Sequence, residues 1–229
     1  ENRSVPILAL KEVRSYSIND KPVVKKYNYY NAMLHKTGHG FIGFESVVTR
    51  NYIDDKLVNK QLQEYKLEPM DKHCIPLLTS DKLFYGENQL IKEHYYEYKK
   101  YLCKQNEKVI IPLLLQDREA VYDVDKNNVV LKNVVTVNTY ESDLDDGKYN
   151  KIVQLKMTRK GYDDIKSIDP EKCQYLEEIN MLYENDVVNW VINRPKKIVK
   201  SVIDKENAAV GNVHLIEYNS DNPMQVAKE

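Results

Sequence analysis

His35 and His39, four residues apart, would place two imidazoles on one face of a helix, the arrangement of helix-borne zinc sites. Gly38 and Gly40 flank His39 and argue against a helix, and no carboxylate stands in a zinc-peptidase position. The two histidines therefore read as structural or solvent-facing. His73 beside Cys74 has the residue types of a thiolate–imidazole pair, but neighbours on a strand point to opposite faces. Asp143-x-Asp145-Asp146-Gly147 begins like a calcium loop, yet Asn150 and Lys151 follow in place of flanking helix and terminal glutamate. It reads as a hairpin turn, as does Asp123-Val-Asp125. Gly38-x-Gly40-x-x-Gly43 matches the dinucleotide fingerprint in form only. That motif holds a pyrophosphate between a strand and a helix N-terminus, and Phe41, Ile42, Phe44 and Val47-Val48-Thr49 are poor helix-start residues. No G-x-S-x-G and no phosphate loop occur. The expectation is a chain without catalytic residues, cofactor or metal.

The elements that carry these residues alternate with period two. Val13–Ile18 reads as a strand, Asn19-Asp20 as a turn, and Pro22–Tyr30 as the returning arm. Gly38, Gly40 and Gly43 are three of only seven glycines, which predicts a special bend with Phe41 and Phe44 packed over it. Phe41–Arg50 and Leu57–Leu67 follow as strands. Ile75-Pro76-Leu77-Leu78 reads as an edge or crossing segment, because proline removes a ladder donor. Gln89–Tyr101 is compatible with helical spacing, but its aromatic density favours a strand. Lys108–Leu115 repeats the proline-in-apolar-run pattern. Glu119–Asp125 and Val129–Tyr140 pair through a turn at 126–128, and Tyr149–Arg159 is the next strand. Gln174–Tyr183 fits a helix or a strand. Pro195–Ile203 is a further arm, and Ala208–Tyr218 carries a Gly211-Asn212 turn and one more strand. The fold class is all-β: antiparallel, long hairpins forming a curved sheet.

Composition narrows the function classes. A net charge of −1 offers no electrostatic case for nucleic acid or an anionic membrane. No run of eighteen apolar residues spans a membrane. Eighteen tyrosines against three phenylalanines suit strands with a half-wet face, or reflect a compositional habit. Three cysteines exclude a complete disulfide framework; they read as reduced, with one bridge plus a free thiol as the alternative. The opening ENRSVPILAL shows no signal peptide and no Met, so the chain reads as one all-β segment, 1–229, of a longer polypeptide.

Two blocks carry a family resemblance. The first is Tyr27-Asn-Tyr29-Tyr-Asn-Ala32, then Gly38-His39-Gly40-Phe41-Ile42-Gly43-Phe44, then Val47. The second is Asn185-Asp186 through Trp190 to Arg194-Pro195, with Pro76-Leu77-Leu78 and Ile111-Pro112-Leu113-Leu114 between them. In this order they resemble the middle region of Rhs/YD-repeat proteins, including the B component of insecticidal Tc toxins and their SpvB-linked relatives, over residues 10–205. His39 stands where the family has arginine and Asn193 where it has glycine. The resemblance implies a secreted or cell-surface toxin whose antiparallel strands form a shell around a toxic C-terminal polypeptide. This chain would be a non-catalytic part of that wall. Its partners would be the rest of the parent polypeptide and the cargo, and exposed strand edges would favour an artificial dimer. The structural motif is Gly38, Gly40, Phe41, Gly43, Phe44, Trp190, Arg194 and Pro195. The alternative is a carbohydrate- or protein-binding module of a wall-associated protein, with Tyr95, Tyr96, Tyr98 and Tyr101 as its stacking surface.

Overall fold

The computed structural model describes residues 8–16, 22–34, 40–70, 73–102, 110–126, 129–141, 151–160, 173–185, 194–204, 210–218 and 226–228. Every regular element among them is a strand. In chain order these are β1 (Glu12–Tyr16), β2 (Pro22–Leu34), β3 (Phe41–Ile53), β4 (Lys56–Met70), β5 (His73–Tyr85), β6 (Gln89–Leu102) and β7 (Ile110–Tyr122). They continue as β8 (Val130–Tyr140), β9 (Lys151–Lys160), β10 (Tyr175–Tyr183), β11 (Pro195–Asp204), β12 (Val210–Leu215), β13 (Glu217–Tyr218) and β14 (Val226–Lys228). The first twelve form one antiparallel sheet in sequence order, and β13 pairs with β14 separately. A meander of this kind needs no crossover, so short hairpins suffice to build it.

A two-residue hairpin joins β3 to β4. Ile53 pairs with Lys56, and Asp54 and Asp55 both take positive φ, 50° and 59°. Two successive left-handed residues are what a two-residue type I′ turn requires. Gly86, at φ 57°, makes the bend after β5. Strands of 13 to 15 residues in β2 to β5 are long against a usual length of about six. The four pairings from β2–β3 to β5–β6 each carry an irregularity, at Met33/Leu34, Asn51/Tyr52, Glu64/Tyr65 and Leu83/Phe84. Such bulges bend and twist a strand locally.

Two expectations change, and one alternative is decided. Gly211 and Asn212 lie inside β12, paired with Ser201 and Lys200, where a turn was expected. Flanking Val210 and Val213 keep the backbone extended, and nothing forces Gly-Asn to turn when a neighbouring strand offers a ladder. Residues 110–122 are one continuous strand, with Pro112 inside it, in place of two separate segments. The ambiguous stretch after Gln174 is strand. Pro76 sits in the half of β5 paired with β4; the register with β6 begins at Ser80.

The chain groups into two compact units, Glu1–Tyr96 with Glu119–Leu131 and Glu97–Arg118 with Lys132–Glu229. In the first, Val24, Met33, Val48 and Ala120 are buried beside polar Thr49, Ser80 and Glu93. In the second, Val135, Met157 and Cys173 cluster, with Val137 and Leu176 packed against them.

Candidate functional site: paired polar side chains and two anchoring clusters

In the first unit, antiparallel register sets Lys82 opposite Glu93 and Ser80 opposite Tyr95, so these four share one face of β5 and β6. Glu93 is only 7% exposed. One of its oxygens accepts the Tyr95 hydroxyl at 3.0 Å and the other accepts the Tyr122 hydroxyl. Burial, reinforced by the Glu93 hydrogen bond and charge, pushes the Tyr122 phenol well above its ordinary value. Glu93 is therefore engaged on both oxygens. On the same face Glu64 accepts from Ser80 and lies 3.6 Å from the Lys82 ammonium. Glu87 takes Arg50 in a two-point contact at 2.8 and 3.1 Å. That hydrogen bond, ahead of the charge, holds the Glu87 carboxyl below its usual range.

The alternate residues are polar too. Gln61 donates to both oxygens of Asp81 at 2.8 and 2.9 Å. Glu119 meets Lys92 at 2.8 Å and His94 at 3.3 Å. Glu64, Asp81 and Glu119 are matched with donors from the next strand, which holds register. Among the described residues, no group of three His, Cys, Asp or Glu side chains is placed to hold a metal ion. Asp123 accepts the amide of Asp125 at 2.9 Å, the Asx turn expected of a hairpin.

The glycine–aromatic block forms a knot at the β2–β3 end. The rings of Tyr29 and Phe44 are 4.6 Å apart, and Phe41 meets Phe44 edge-on at 4.9 Å. The Tyr29 hydroxyl donates to the Leu10 carbonyl at 2.8 Å, tying the chain before β1 to β2. Gly40 has φ 89°, a conformation that side chains resist. Gly43 lies within β3, opposite Met33. A Cβ there would stand 3.7 Å from both Met33 and Pro76, in ordinary van der Waals contact, so the position accepts a first side-chain carbon but lies against those two side chains. Gly38 falls outside the described residues, as do His35, His39, Cys103 and the 143–147 turn; for His73 and Cys74 only the backbone is described.

Arg194 and Pro195 build the second cluster, in the second unit. The Arg194 guanidinium donates to the Glu184 carbonyl at 2.8 Å and lies over the Tyr218 ring at 4.8 Å. Its backbone amide donates to Asn185 Oδ1 at 3.2 Å, and Tyr218 donates to the Pro195 carbonyl at 3.0 Å. One arginine thus ties together the end of β10, the start of β11 and β13. Trp190 lies outside the described residues.

The four tyrosines of β6 do not share a surface. The pleat sends Tyr95 to one face and Tyr96 and Tyr98 to the other. Tyr95 is engaged with Glu93 and Lys82, and Tyr96 stacks on His94 at 5.7 Å. Burial, ahead of the Asp117 charge, raises the Tyr98 phenol; the side chain of Tyr101 is outside the described set. The Glu93–Tyr122 contact was the functional-scale feature that sequence reading missed. The two residues are 29 positions apart, and only the register of separate strands joins them.

No protein-family model and no curated protein matches the sequence. Solved structures do match in fold. A crystal structure of TcdB2-TccC3 lacking its hypervariable C-terminal region aligns over 97% of this chain, with TM-score 0.63 and 11% identity. TcdB2-TccC3 aligns over 87% with TM-score 0.61 and 10% identity, and TcdB2-TccC3-Cdc42 over 89% with 0.60 and 12%. This chain shares its fold with a segment of TcdB2-TccC3. The resemblance to Tc toxin B components drawn from the two sequence blocks therefore has a counterpart in three dimensions. The chain spans 13–15% of the length of those structures.

Proposed function

We propose that the chain is a non-catalytic wall segment of a secreted, Tc-like toxin shell, which encloses a toxic C-terminal part of its own polypeptide. The observation that carries this is the alignment of 97% of the chain onto TcdB2-TccC3. The pairing of acids with donors on neighbouring strands supports it, because such groups hold a sheet together, and both Glu93 oxygens already accept a tyrosine hydroxyl. The glycine–aromatic block and the Arg194 cluster serve this wall as anchors at strand ends. Neighbouring strands of the parent polypeptide are its partners.

Limited proteolysis of the parent polypeptide tests the reading. Its C-terminal region is expected to resist protease in the folded protein and to be cut once β7 to β12 are deleted. Equal cleavage before and after deletion would defeat the enclosure claim.

A further inference from the structure

One face of β9–β11 is closed at one end and open at the other. Leu176 and Met157 pair across β10 and β9, and Cys173 packs on that end, leaving Met157 5% exposed. Asn180 and Leu182 lie four and six positions further along β10, so they stand on the same face. Asn180 pairs with Val153 and Val199, and Leu182 pairs with Lys197. Here the face forms a trough of about 460 Å³ with a largely apolar floor, and Leu182 is 59% exposed.

Two opposite charges bracket the trough. Glu141, just past the end of β8, lines one side, and Lys197 of β11 lines the other. Two other lysines at this end of the unit, Lys196 and Lys200, pair with Glu184 at 3.1 Å and Glu177 at 3.2 Å. Among the described residues neither Lys197 nor Glu141 has an ion-pair partner. Between them Asn180 donates to Glu178 at 2.7 Å, and its Oδ1 is left as an acceptor. The order β8–β9–β10–β11 sets the two charges three strand spacings apart, about 14 Å. A single amino-acid zwitterion is too short to meet both, whereas an extended peptide covers that distance in about four residues. A polyanion would be repelled by Glu141 and a polycation by Lys197.

We infer that this trough holds an extended segment of the parent polypeptide laid across the strands. An apolar side chain of the segment rests on Leu182 and Val199, with a basic residue toward Glu141 and an acidic residue toward Lys197. A backbone N–H of the segment reaches Asn180 Oδ1. The charge pattern comes from the trough alone. The parent polypeptide as its source rests on the shell reading: the chain spans 13–15% of the length of the structures it aligns with, so most of such a polypeptide lies outside it.

Three capped pentapeptides with leucine at the third position test the trough, by NMR titration of the full chain. The peptide with lysine first and glutamate fifth is expected to bind about two- to five-fold more tightly than those with two lysines or two glutamates. The amide shifts it causes should be confined to β8–β11. Glu141→Lys is expected to make the two-glutamate peptide the tightest, and Lys197→Glu the two-lysine peptide. Leu182→Ser should weaken all three alike. All three variants should melt as wild type does, because Lys197 and Leu182 are exposed and Glu141 has no ion pair to lose. Equal affinities for the three peptides, or an order that the charge swaps leave unchanged, overturns the proposal. Overlapping peptides tiled along the parent polypeptide test the source. Binding is expected from tiles in which an apolar residue stands between opposite charges. If no tile binds while the mixed-charge pentapeptide does, the parent polypeptide is not the source. A failed protease test of the shell leaves the pentapeptide result untouched, so the two failures are distinguishable.

Discussion

The β4–β6 ladder of the first unit and the β8–β10 ladder of the second hold strands of similar kind with different side chains. Between β4 and β6 the neighbours are Glu64 with Ser80 and Lys82, Gln61 with Asp81, and Glu93 with Tyr95. Between β8 and β10 they are Val135, Met157 and Leu176, closed by Cys173. The first arrangement is directional and sensitive to charge. The second depends on apolar area and on filled volume. A single sheet can thus be zipped by register-specific polar pairs where it has little apolar side chain to bury, and by a small apolar cluster where it has more.

Removing volume should separate the two most clearly. Met157, 5% exposed, sits in the apolar cluster, and Met157→Ala is expected to cost about 2–5 kcal/mol. Hydrogen exchange should rise across β8–β10 and leave β4–β6 unchanged; a uniform rise would mean that the units are one cooperative block. The polar counterpart is Glu93→Ala, which strands the Tyr95 and Tyr122 hydroxyls. It is expected to cost about 1–3 kcal/mol, read by denaturant titration with faster exchange confined to β5–β7.

Gly43→Val is expected to cost about 1–3 kcal/mol, because its two methyl groups reach beyond a Cβ that would already touch Met33 and Pro76. A melting temperature equal to wild type would show that the knot has room to spare. Alkaline pH sharpens the comparison further. The Tyr122 phenol titrates above its ordinary value of 10.0 when folded. The neutral hydroxyl therefore contributes its full stabilisation below pH 10, and that contribution is lost as pH rises through the higher folded value. Tyr122→Phe should flatten the alkaline loss of stability in the first unit. An unchanged pH profile would assign that loss to other tyrosines. The smallest effect belongs to the surface: Arg50→Ala, breaking the pair with half-exposed Glu87, is expected to cost about 0.2–1 kcal/mol and to matter less in high salt.

Much of the fold was legible along the chain. Period-two alternation marked Pro22–Tyr30, Phe41–Arg50 and Val129–Tyr140, because a pleated strand forces successive side chains to opposite faces. Gln89–Tyr101 could be assigned to strand over helix from its crowded aromatics. Gly211-Asn212 misled because its composition permits a turn without requiring one. Pro112 misled because a proline in an apolar run did not end the strand, which continues from Ile110 to Tyr122. The site was less legible. Gly40 and Gly43 stood out together, but one takes a left-handed backbone and the other lies in an extended strand against Met33 and Pro76.

The sequence by itself determined an all-strand chain with turn chemistry between its arms, since those preferences are local. The blocks Tyr27–Val47 and Asn185–Pro195 raised the expectation of a Tc-like fold, and the chain does share its fold with a segment of TcdB2-TccC3. The tertiary structure alone decided that Glu93 meets Tyr122 and that Arg194 reaches Tyr218. Those outcomes depend on register between strands. A shift of one residue would turn every side chain to the opposite face, and no local preference of a single strand sets that choice.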